Sequence, residues 1–337
     1  LEQLKLLALE NGKIINLMKF KILPIEADAS HRKFYRIILN NKSKIIVSAK
    51  KDKYKNLIAY TSVNKFLRKN HILAPRLLGH NYLKGVIIIE DFGNTSFHKI
   101  LLKKKNKFKI YKKLLNLLLK IQKIKPKSKI KSINKEKHII EKYSIKHLIE
   151  ESNLFFDWYL PLFLKKKKAL NIKKILKKTL LGIYKKLYFP NSCFVHRDYH
   201  VQNLMKVGNN VGIIDTQDAL IGNPAYDLVS LIDDVRIKTS LKLKNQMYDY
   251  YLKNANRVYK TKNFLQDFNI LSVQRSLKIL GIFARLYKRD KKNKYLKFIP
   301  YTWQLLETRM HSPIFLELKK ILDKNIKKEI RKKIIKK

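Results

Sequence analysis

The chain has 337 residues, enough for two lobes, and its composition excludes several classes of protein. A single cysteine, Cys193, excludes an intramolecular disulfide bond and suits a reducing compartment. No apolar run approaches the roughly 18 residues of a membrane-spanning helix. Lys and Arg total 76 against 25 acidic residues, and the formal net charge of +51 suggests a polyanion as a partner.

The distribution of this charge argues against a dedicated nucleic-acid-binding protein. Lysine greatly outnumbers arginine and is spread over nearly every predicted helix. Nucleic-acid-binding proteins tend instead to concentrate basic residues on one face and to use arginine for bidentate contacts. We therefore expect only weak, salt-sensitive binding of polyanions and no specific nucleic-acid partner. A non-catalytic basic nucleic-acid-binding protein remains the more remote alternative.

The N-terminal part begins with a predicted amphipathic helix over residues 1–19, which lacks the layout of a signal peptide. Together with the single cysteine, this pattern predicts a cytoplasmic protein. Strands are predicted over 20–26, 33–39 and 44–48, with a turn of small polar residues between the last two. A helix is predicted over 56–69, and it contains no acidic residue.

Two more strands are predicted before Glu90 and Asp91, which end a buried type of apolar run at 85–89. From residue 96 to residue 189 the pattern is helical, apart from a loop predicted over 123–137. Further helices are predicted over 241–260, 263–288, 300–310 and 314–334. The sequence therefore predicts a small strand-rich part followed by a larger helical part.

The chemistry is concentrated in the middle of the chain. An apolar run over 193–195 is followed by His196 and Asp198, and a second apolar run is followed by Asp215. Asn203 stands between them, five residues after Asp198. We interpret the two runs as a hairpin that holds two acids and an amide at its rim.

This set of side chains suits phosphoryl transfer, which needs a base for the attacking hydroxyl and oxygen ligands for Mg²⁺. Asp198 is the candidate base, Asn203 and Asp215 are the candidate metal ligands, and His196 is a candidate catalytic residue. The spacing His-x-Asp-x4-Asn, followed by a strand and an aspartate, is the pattern of a kinase catalytic loop.

Residues 196–203 and 212–219 resemble the aminoglycoside phosphotransferase and choline kinase family. Residues 222–231 narrow the resemblance to the members that phosphorylate N-acetylmuramate and N-acetylglucosamine at the C1 hydroxyl. Two distant stretches, 28–36 and 280–290, agree with that subgroup. The resemblance spans most of the chain.

The resemblance implies an α+β, bilobal, protein-kinase-like fold, with an N-terminal nucleotide-binding lobe over 1–92 and a mainly helical catalytic lobe over 93–337. It implies ATP and Mg²⁺ as cofactors and a small sugar as substrate. The product would pass to a nucleotidyltransferase in peptidoglycan recycling. The alternative is a kinase of another small alcohol, of the aminoglycoside, choline or homoserine type.

The nucleotide-binding residues are less clearly marked. The turn before the second strand lacks the usual glycines, so Ser30 and Arg32 are the candidates for phosphate contacts, although a plain turn and a solvated charge would look the same. By resemblance, Glu90 and Asp91 mark the hinge that lines the nucleotide cleft. The lysine that binds phosphates in protein kinases cannot be identified, because the helix over 56–69 offers no acidic partner.

Five further residues are assigned to the substrate or to the support of the catalytic residues. By resemblance, Asp227 braces the catalytic loop. Asp218 and Gln217 lie close to Asp215 in sequence, and His200 lies within the loop. Arg285 stands in an apolar helix and needs an acidic partner, either a carboxylate of the protein or the lactyl carboxylate of a muramic acid.

Overall fold

The computed structural model of the protein describes residues 21–25, 32–50, 54–132, 137–255 and 259–332. The helix predicted over residues 1–19 and the candidate phosphate ligand Ser30 lie outside the described residues. Within the described ranges, no helix combines the length and the apolar character needed to cross a membrane.

The described residues form eleven β-strands, which follow one another in chain order. They are β1 (Lys21–Ile25), β2 (Lys33–Leu39), β3 (Lys42–Ser48), β4 (Leu77–Asn81), β5 (Val86–Glu90), β6 (Lys129–Lys131), β7 (Lys137–Ile139), β8 (Cys193–Val195), β9 (Leu204–Val207), β10 (Asn210–Ile213) and β11 (Leu220–Gly222).

The described residues also form eleven α-helices. They are α1 (Tyr54–Lys69), α2 (Phe97–Lys103), α3 (Lys107–Lys123), α4 (Ile145–Leu154), α5 (Lys166–Tyr184), α6 (Ala225–Ile232), α7 (Leu241–Asn254), α8 (Thr261–Lys288), α9 (Ile299–Arg309), α10 (Leu316–Asn325) and α11 (Lys328–Lys332). A π-helical turn, Phe155–Tyr159, extends α4.

The chain divides into two compact units. The first comprises Leu1–Phe97, Lys127–Ile140 and Gln202–Ala219, and the second comprises His98–Pro126, Glu141–Val201 and Leu220–Lys337. The first unit therefore includes three stretches beyond residue 92, namely 93–97, 127–140 and 202–219, that the sequence interpretation assigned to the C-terminal lobe.

The first unit is built on an antiparallel sheet of five strands in the order β1-β2-β3-β5-β4. Alternate residues of β3 point to one face, where Ile45 and Val47 pack with Leu57 and Tyr60 of α1. This apolar contact holds α1 against the sheet. The strand predicted over 33–39 and the helix predicted over 56–69 are confirmed, with α1 starting two residues earlier.

The strand pairing in the middle of the chain differs from the predicted hairpin. In the first unit β9 pairs with β10, around the turn at Gly208. In the second unit β8 pairs with β11. The two apolar runs before His196 and Asp215 are therefore not partners of one another. The second run, β10, pairs with β9 directly before it, and β8 pairs with β11, which lies beyond the second run.

The second unit is mainly helical, and α8 is its central element, with buried side chains along almost its whole length. Gly281 of α8 lies against the backbone that joins α4 to the π-helical turn. A Cβ atom at this position would lie 2.2 Å from the carbonyl carbon of Leu154 and 2.4 Å from the nitrogen of Phe155. Only glycine permits this contact between two backbones.

The segment between α3 and α4 is another correction. The sequence predicted a loop over 123–137 and a helix from residue 138, but β6 and β7 pair with each other across this region. The helix α4 begins only at Ile145, where the Ser144 side chain and the His147 side chain form a capping box. Short β pairs of three residues each carry too little periodicity to be read from sequence.

Candidate active site

The catalytic loop lies in the second unit, directly after β8. Arg197 has a φ of 72°, a left-handed backbone conformation that is uncommon for a residue other than glycine. The carboxylate of Asp227, on α6, holds this conformation. Its two oxygens accept hydrogen bonds from the backbone nitrogens of His196, at 2.6 Å, and Arg197, at 3.0 Å. The two buried N–H groups thereby receive acceptors.

Asp227 is completely buried. Burial raises the pKa of its carboxyl group to about 6, although the charge of His196 and the two backbone hydrogen bonds act in the opposite direction. These contacts are the ones that a brace of the loop would make, and the role of Asp227 stays a prediction.

Asp198, the candidate base, is 38% exposed and faces two cations of α8. Arg275 donates to the carbonyl oxygen of Arg197 at 2.7 Å and lies 3.4 Å from Oδ1 of Asp198. Burial acts to raise the pKa of Asp198, but the charges of Lys278 and Arg275 outweigh it and hold the pKa well below its usual range. Asp198 is therefore ionised at neutral pH.

A buried acid that the sequence interpretation missed, Glu151 of α4, connects the loop to α8. It forms an ion pair with the guanidinium of Arg197 and accepts a hydrogen bond from Nζ of Lys278 at 2.8 Å. It also accepts from the hydroxyl of Tyr143 and, at 3.0 Å, from Nε2 of Gln274. Burial acts to raise the pKa of Glu151, but the charges of Lys278 and Arg197 outweigh this effect and lower the pKa to about 2.

Sequence carried a usable signal for this network. Gln274, Arg275 and Lys278 are polar residues in an otherwise buried part of a long helix, which indicates that they need partners. Because lysines are so common in this chain, a buried lysine does not stand out in the sequence.

His200 lies in the loop but is almost wholly buried. Burial, and then the charge of Arg236, lower the pKa of His200 to about 3. Asp234 accepts a hydrogen bond from the backbone nitrogen of Val201 at 3.2 Å and pairs with Arg236. A neutral, enclosed imidazole is better placed to pack the loop than to contact a substrate, so the structure gives no support to the predicted substrate contact.

The candidate metal ligands lie in the first unit, at one end of the β9–β10 hairpin. Leu204 pairs with Ile213, and the backbone nitrogen of Ile214 donates to the carbonyl oxygen of Asn203 at 3.0 Å. Asp215 follows at once, with a left-handed φ of 67°. The hairpin therefore brings Asn203 and Asp215 to the same end, as the sequence pattern predicts for two ligands of one cation.

Arg32, just before β2, reaches Asp215. Its Nη2 lies 2.5 Å from Oδ1 of Asp215, and its Nη1 donates to Oε1 of Gln217 at 3.0 Å. Gln217 in turn donates to Asp215 at 3.2 Å and to Asp218 at 2.8 Å. The structure thus joins four of the predicted residues in one hydrogen-bonded group, in which Asp218 is exposed and Arg32 is buried.

Glu90 and Asp91, the predicted hinge residues, both pair with arginines of the first unit. Arg36 donates to both oxygens of Asp91, at 2.5 and 3.0 Å. Burial acts to raise the pKa of Asp91, but Arg36 and further hydrogen bonds lower it overall. Arg76 donates to Glu90 at 3.2 Å. These contacts hold the two carboxylates in place. The contact of Glu90 and Asp91 with a nucleotide stays a prediction.

Arg285 departs from expectation. Among the described residues it makes no side-chain hydrogen bond or ion pair with an acid of the protein, and its Nε is buried without a partner. Burial, and then the neighbouring Arg289, lower the pKa of Arg285, while Asp290 is hydrogen-bonded to Arg289. The acidic partner that the sequence predicted for Arg285 is absent from the described part of the protein.

The donor set suits a hard cation. Asn203 and Asp215 offer an amide and a carboxylate oxygen, and within the described ranges no group of three or more His, Cys, Asp or Glu residues is arranged to hold a metal. Mg²⁺ is commonly bound by one or two carboxylates together with substrate phosphates, so these two residues fit it.

The fold resembles that of small-molecule kinases of known structure. The choline kinase LicA from Streptococcus pneumoniae has a TM-score of 0.60 at 13% identity, covering 91% of this chain and 100% of that chain. The aminoglycoside phosphotransferase APH(2'')-Ib, with bound ADP, has a TM-score of 0.59 at 14% identity, covering 91% and 97%.

The sequence identifies the family. Residues 21–260 match the phosphotransferase enzyme family, and the chain belongs to that family and is a kinase. It is 28% identical over 280 residues to an N-acetylmuramate/N-acetylglucosamine kinase from Neisseria meningitidis, covering 81% of each chain. It is 27% identical over 308 residues to an N-acetylmuramate/N-acetylglucosamine kinase from Pseudomonas aeruginosa, covering 90% of this chain and 88% of the relative.

Proposed function

We propose that the protein transfers the γ-phosphoryl group of ATP to the C1 hydroxyl of an amino sugar, N-acetylmuramate or N-acetylglucosamine. The observation that carries the proposal is the catalytic loop, in which Asp198 is ionised, held by Arg275 and placed on a backbone that Asp227 braces. The names of the curated relatives support the choice of sugar.

Asp198 accepts the hydroxyl proton in this proposal. Its lowered pKa makes it a weak base, and so the proton moves late, after the attacking oxygen has begun to bond to phosphorus and has become acidic. A loose transition state permits this order, because little nucleophilic assistance is needed. An anomeric hydroxyl suits a weak base, since the ring oxygen makes it more acidic than an ordinary alcohol.

The remaining site residues position the metal ion, the nucleotide or another side chain of the site. Asn203 and Asp215 would hold Mg²⁺, which would neutralise phosphate charge when bound. Arg32, Glu90 and Asp91 are proposed for the nucleotide, and Gln217 and Asp218 for the support of Asp215. His196 acts through its ring, since Nδ1 accepts a hydrogen bond from the backbone nitrogen of Asp198 at 3.2 Å.

The chemistry of the proposed product, a sugar 1-phosphate, indicates which reaction would follow. A sugar 1-phosphate is the form that a nucleotidyltransferase activates, and both sugars are components of peptidoglycan. We therefore include in the proposal a role in peptidoglycan recycling, in the cytoplasm where ATP is supplied.

The test is a phosphorylation screen with purified protein, ATP and Mg²⁺ over N-acetylmuramate, N-acetylglucosamine, choline and an aminoglycoside, scored by product mass. The expected product is a monophosphate of an amino sugar that mild acid hydrolyses, because a 1-phosphate is acid-labile and a 6-phosphate is not. Methyl N-acetylglucosaminide, whose C1 hydroxyl is blocked, is the matched acceptor and should not react. Phosphorylation of this glycoside, or of choline or the aminoglycoside in preference to the sugars, would contradict the proposal.

A further inference from the structure

Among its described residues, the first unit does not show the ion pair by which many kinases hold the phosphates of ATP. In protein kinases a lysine of the third strand pairs with a glutamate of the helix that follows it. Here the residues of β3 that face α1 are apolar and buried, Ile45 and Val47, and Ala49 continues that face. The helix itself contains no acid.

Arg32 lies beside the place where such a lysine would stand. Lys33, the next residue, pairs with Ser48 at the end of β3, and Phe34 pairs with Val47. The Arg32 side chain is only 8% exposed, and its guanidinium carbon lies 5.4 Å from the ring centre of Phe34 and 5.7 Å from that of Tyr60. Two aromatic rings therefore lie beside this guanidinium and attract it through their π-electrons.

The contacts of Arg32 direct it at the candidate metal ligand. Oδ1 of Asp215 lies 2.5 Å from Nη2, and Gln217 fixes Nη1 at 3.0 Å. A cation held by Asp215 would neutralise charge on the nucleotide's phosphates and would therefore lie next to them. A guanidinium beside that carboxylate is consequently within reach of phosphate oxygens, whose geometry it matches with two parallel N–H groups.

We propose that Arg32 is the phosphate-binding cation of the nucleotide site and replaces the lysine–glutamate pair of other kinases. The inference rests on the proposed use of ATP. The guanidinium and a metal ion would share the one carboxylate of Asp215, so they compete for it when the metal is supplied alone. Nucleotide phosphate relieves this competition, because it accepts hydrogen bonds from Arg32 in place of Asp215.

The test compares Arg32→Gln with the wild type by calorimetric titration with MgATP, with adenosine and with Mn²⁺ alone. Loss of a charged hydrogen-bond donor should weaken MgATP binding about 10- to 100-fold. Adenosine has no phosphate, so its affinity should stay within about twofold. Mn²⁺ alone should bind several-fold more tightly to the variant, because Asp215 no longer shares its carboxylate with a cation. Lys65→Gln, which removes an exposed charge from α1, is the matched control and should leave all three affinities unchanged.

Three outcomes would overturn the inference: an unchanged MgATP affinity, an equal loss for MgATP and adenosine, or weaker binding of Mn²⁺. Arg32→Lys keeps the charge without the planar fork, and it serves in the same titrations if Arg32→Gln does not fold. It should lose about three- to tenfold in MgATP affinity only. A wild type that binds no ATP would instead contradict the proposed function itself, so the two failures are distinguishable.

Discussion

Lys278 of α8 lies 2.8 Å from Glu151 of α4, although the side chains are only 9% and 8% exposed. A buried ion pair of this kind contributes little net stability compared with apolar residues of the same size, but removing one partner leaves the other charge buried alone. Glu151 also pairs with Arg197 of the catalytic loop. The loop and α8 therefore depend on the same carboxylate.

Glu151→Gln should destabilise the protein by about 3–5 kcal/mol, because it leaves Arg197 and Lys278 without a counter-charge in the interior. Chemical denaturation measures the change in the free energy of unfolding. The neighbouring residue is the control: Glu150 is 56% exposed and pairs with Lys146 at 3.9 Å, so Glu150→Gln should cost no more than about 1 kcal/mol. Equal effects of the two substitutions would contradict the assignment of Glu151 as the centre of the network.

Asp227 should make activity and stability respond to pH in opposite directions. Its pKa in the folded protein, about 6, lies above the ordinary 3.8, so the folded state holds this proton more tightly than the unfolded state. Its contribution to stability is therefore largest at low pH and declines as the pH rises through about 6. The ionised carboxylate, however, is what accepts from both backbone N–H groups of the loop.

We expect kcat to fall about tenfold per pH unit below pH 6. Rate profiles of the wild type between pH 5 and 8 test this, with Asp227→Asn as the comparison, since its amide has no such titration and the acid limb should disappear. Neither Glu151 nor His200, with pKa values of about 2 and about 3, can supply this limb. If the fall of kcat below pH 6 persists unchanged in Asp227→Asn, it arises from the titration of another residue.

Asp198→Asn should lower kcat by at least about 10²- to 10⁴-fold, the range for loss of a general base. The amide keeps the shape of the carboxylate, so MgATP affinity should stay close to that of the wild type. Steady-state rates and equilibrium titrations on the same preparation give the two numbers. Turnover within a few-fold of the wild type would exclude Asp198 as the base.

Asp215→Ala and Asn203→Ala should raise the Mg²⁺ concentration needed for nucleotide binding, because each removes an oxygen ligand from a hard cation. The measurement is a titration of Mg²⁺ at fixed ATP. Asp249→Ala removes an acid from α7 in the second unit and is the control. If the Mg²⁺ requirement of both ligand variants matches that of the control, the assignment of the metal ligands fails.

Arg285 offers a test of sugar specificity. It lies seven residues after Lys278, and so about 10 Å along the same face of α8, with no acidic partner among the residues described. N-acetylmuramate differs from N-acetylglucosamine by a lactyl group that ends in a carboxylate. If Arg285 binds that carboxylate, Arg285→Gln should raise KM for N-acetylmuramate about 10- to 100-fold and leave KM for N-acetylglucosamine unchanged.

The control for Arg285 is Arg289→Gln, which alters an arginine paired with Asp290 one turn further along. It should affect neither KM. Parallel changes for both sugars in Arg285→Gln would indicate a purely structural role for this arginine.

Local features of the sequence predicted local structure well. The aromatic and β-branched residues of β2 and the turn before β3 are visible in the sequence itself, and so is the order of His196, Asp198, Asn203 and Asp215. The predicted fold class, an antiparallel sheet followed by a mainly helical part, is confirmed by the structure and by its resemblance to solved kinases.

Partners far apart in sequence were not predictable in the same way. Glu151 and Lys278 are separated by 127 residues, and no periodicity links a glutamate in one helix to a lysine in another. Strand β8 has three residues and takes its partner 25 residues further along, so the nearer run was the natural but wrong choice. The sequence marks Arg32 as a candidate for phosphate contacts, but its contact with Asp215, 183 residues further along the chain, is set by the fold.

The contact at Gly281 limits which residues position 281 can accept. Lysine occupies many of the exposed helical positions in the described part of the chain, and these positions place little constraint on the side chain. At residue 281 even one methyl group would collide with the backbone of Leu154 and push α8 away from α4. Arg275 and Lys278 would move with the helix and away from Asp198. A position that touches neither the catalytic loop nor the proposed substrate residues thus has less freedom to change than many that carry a charge.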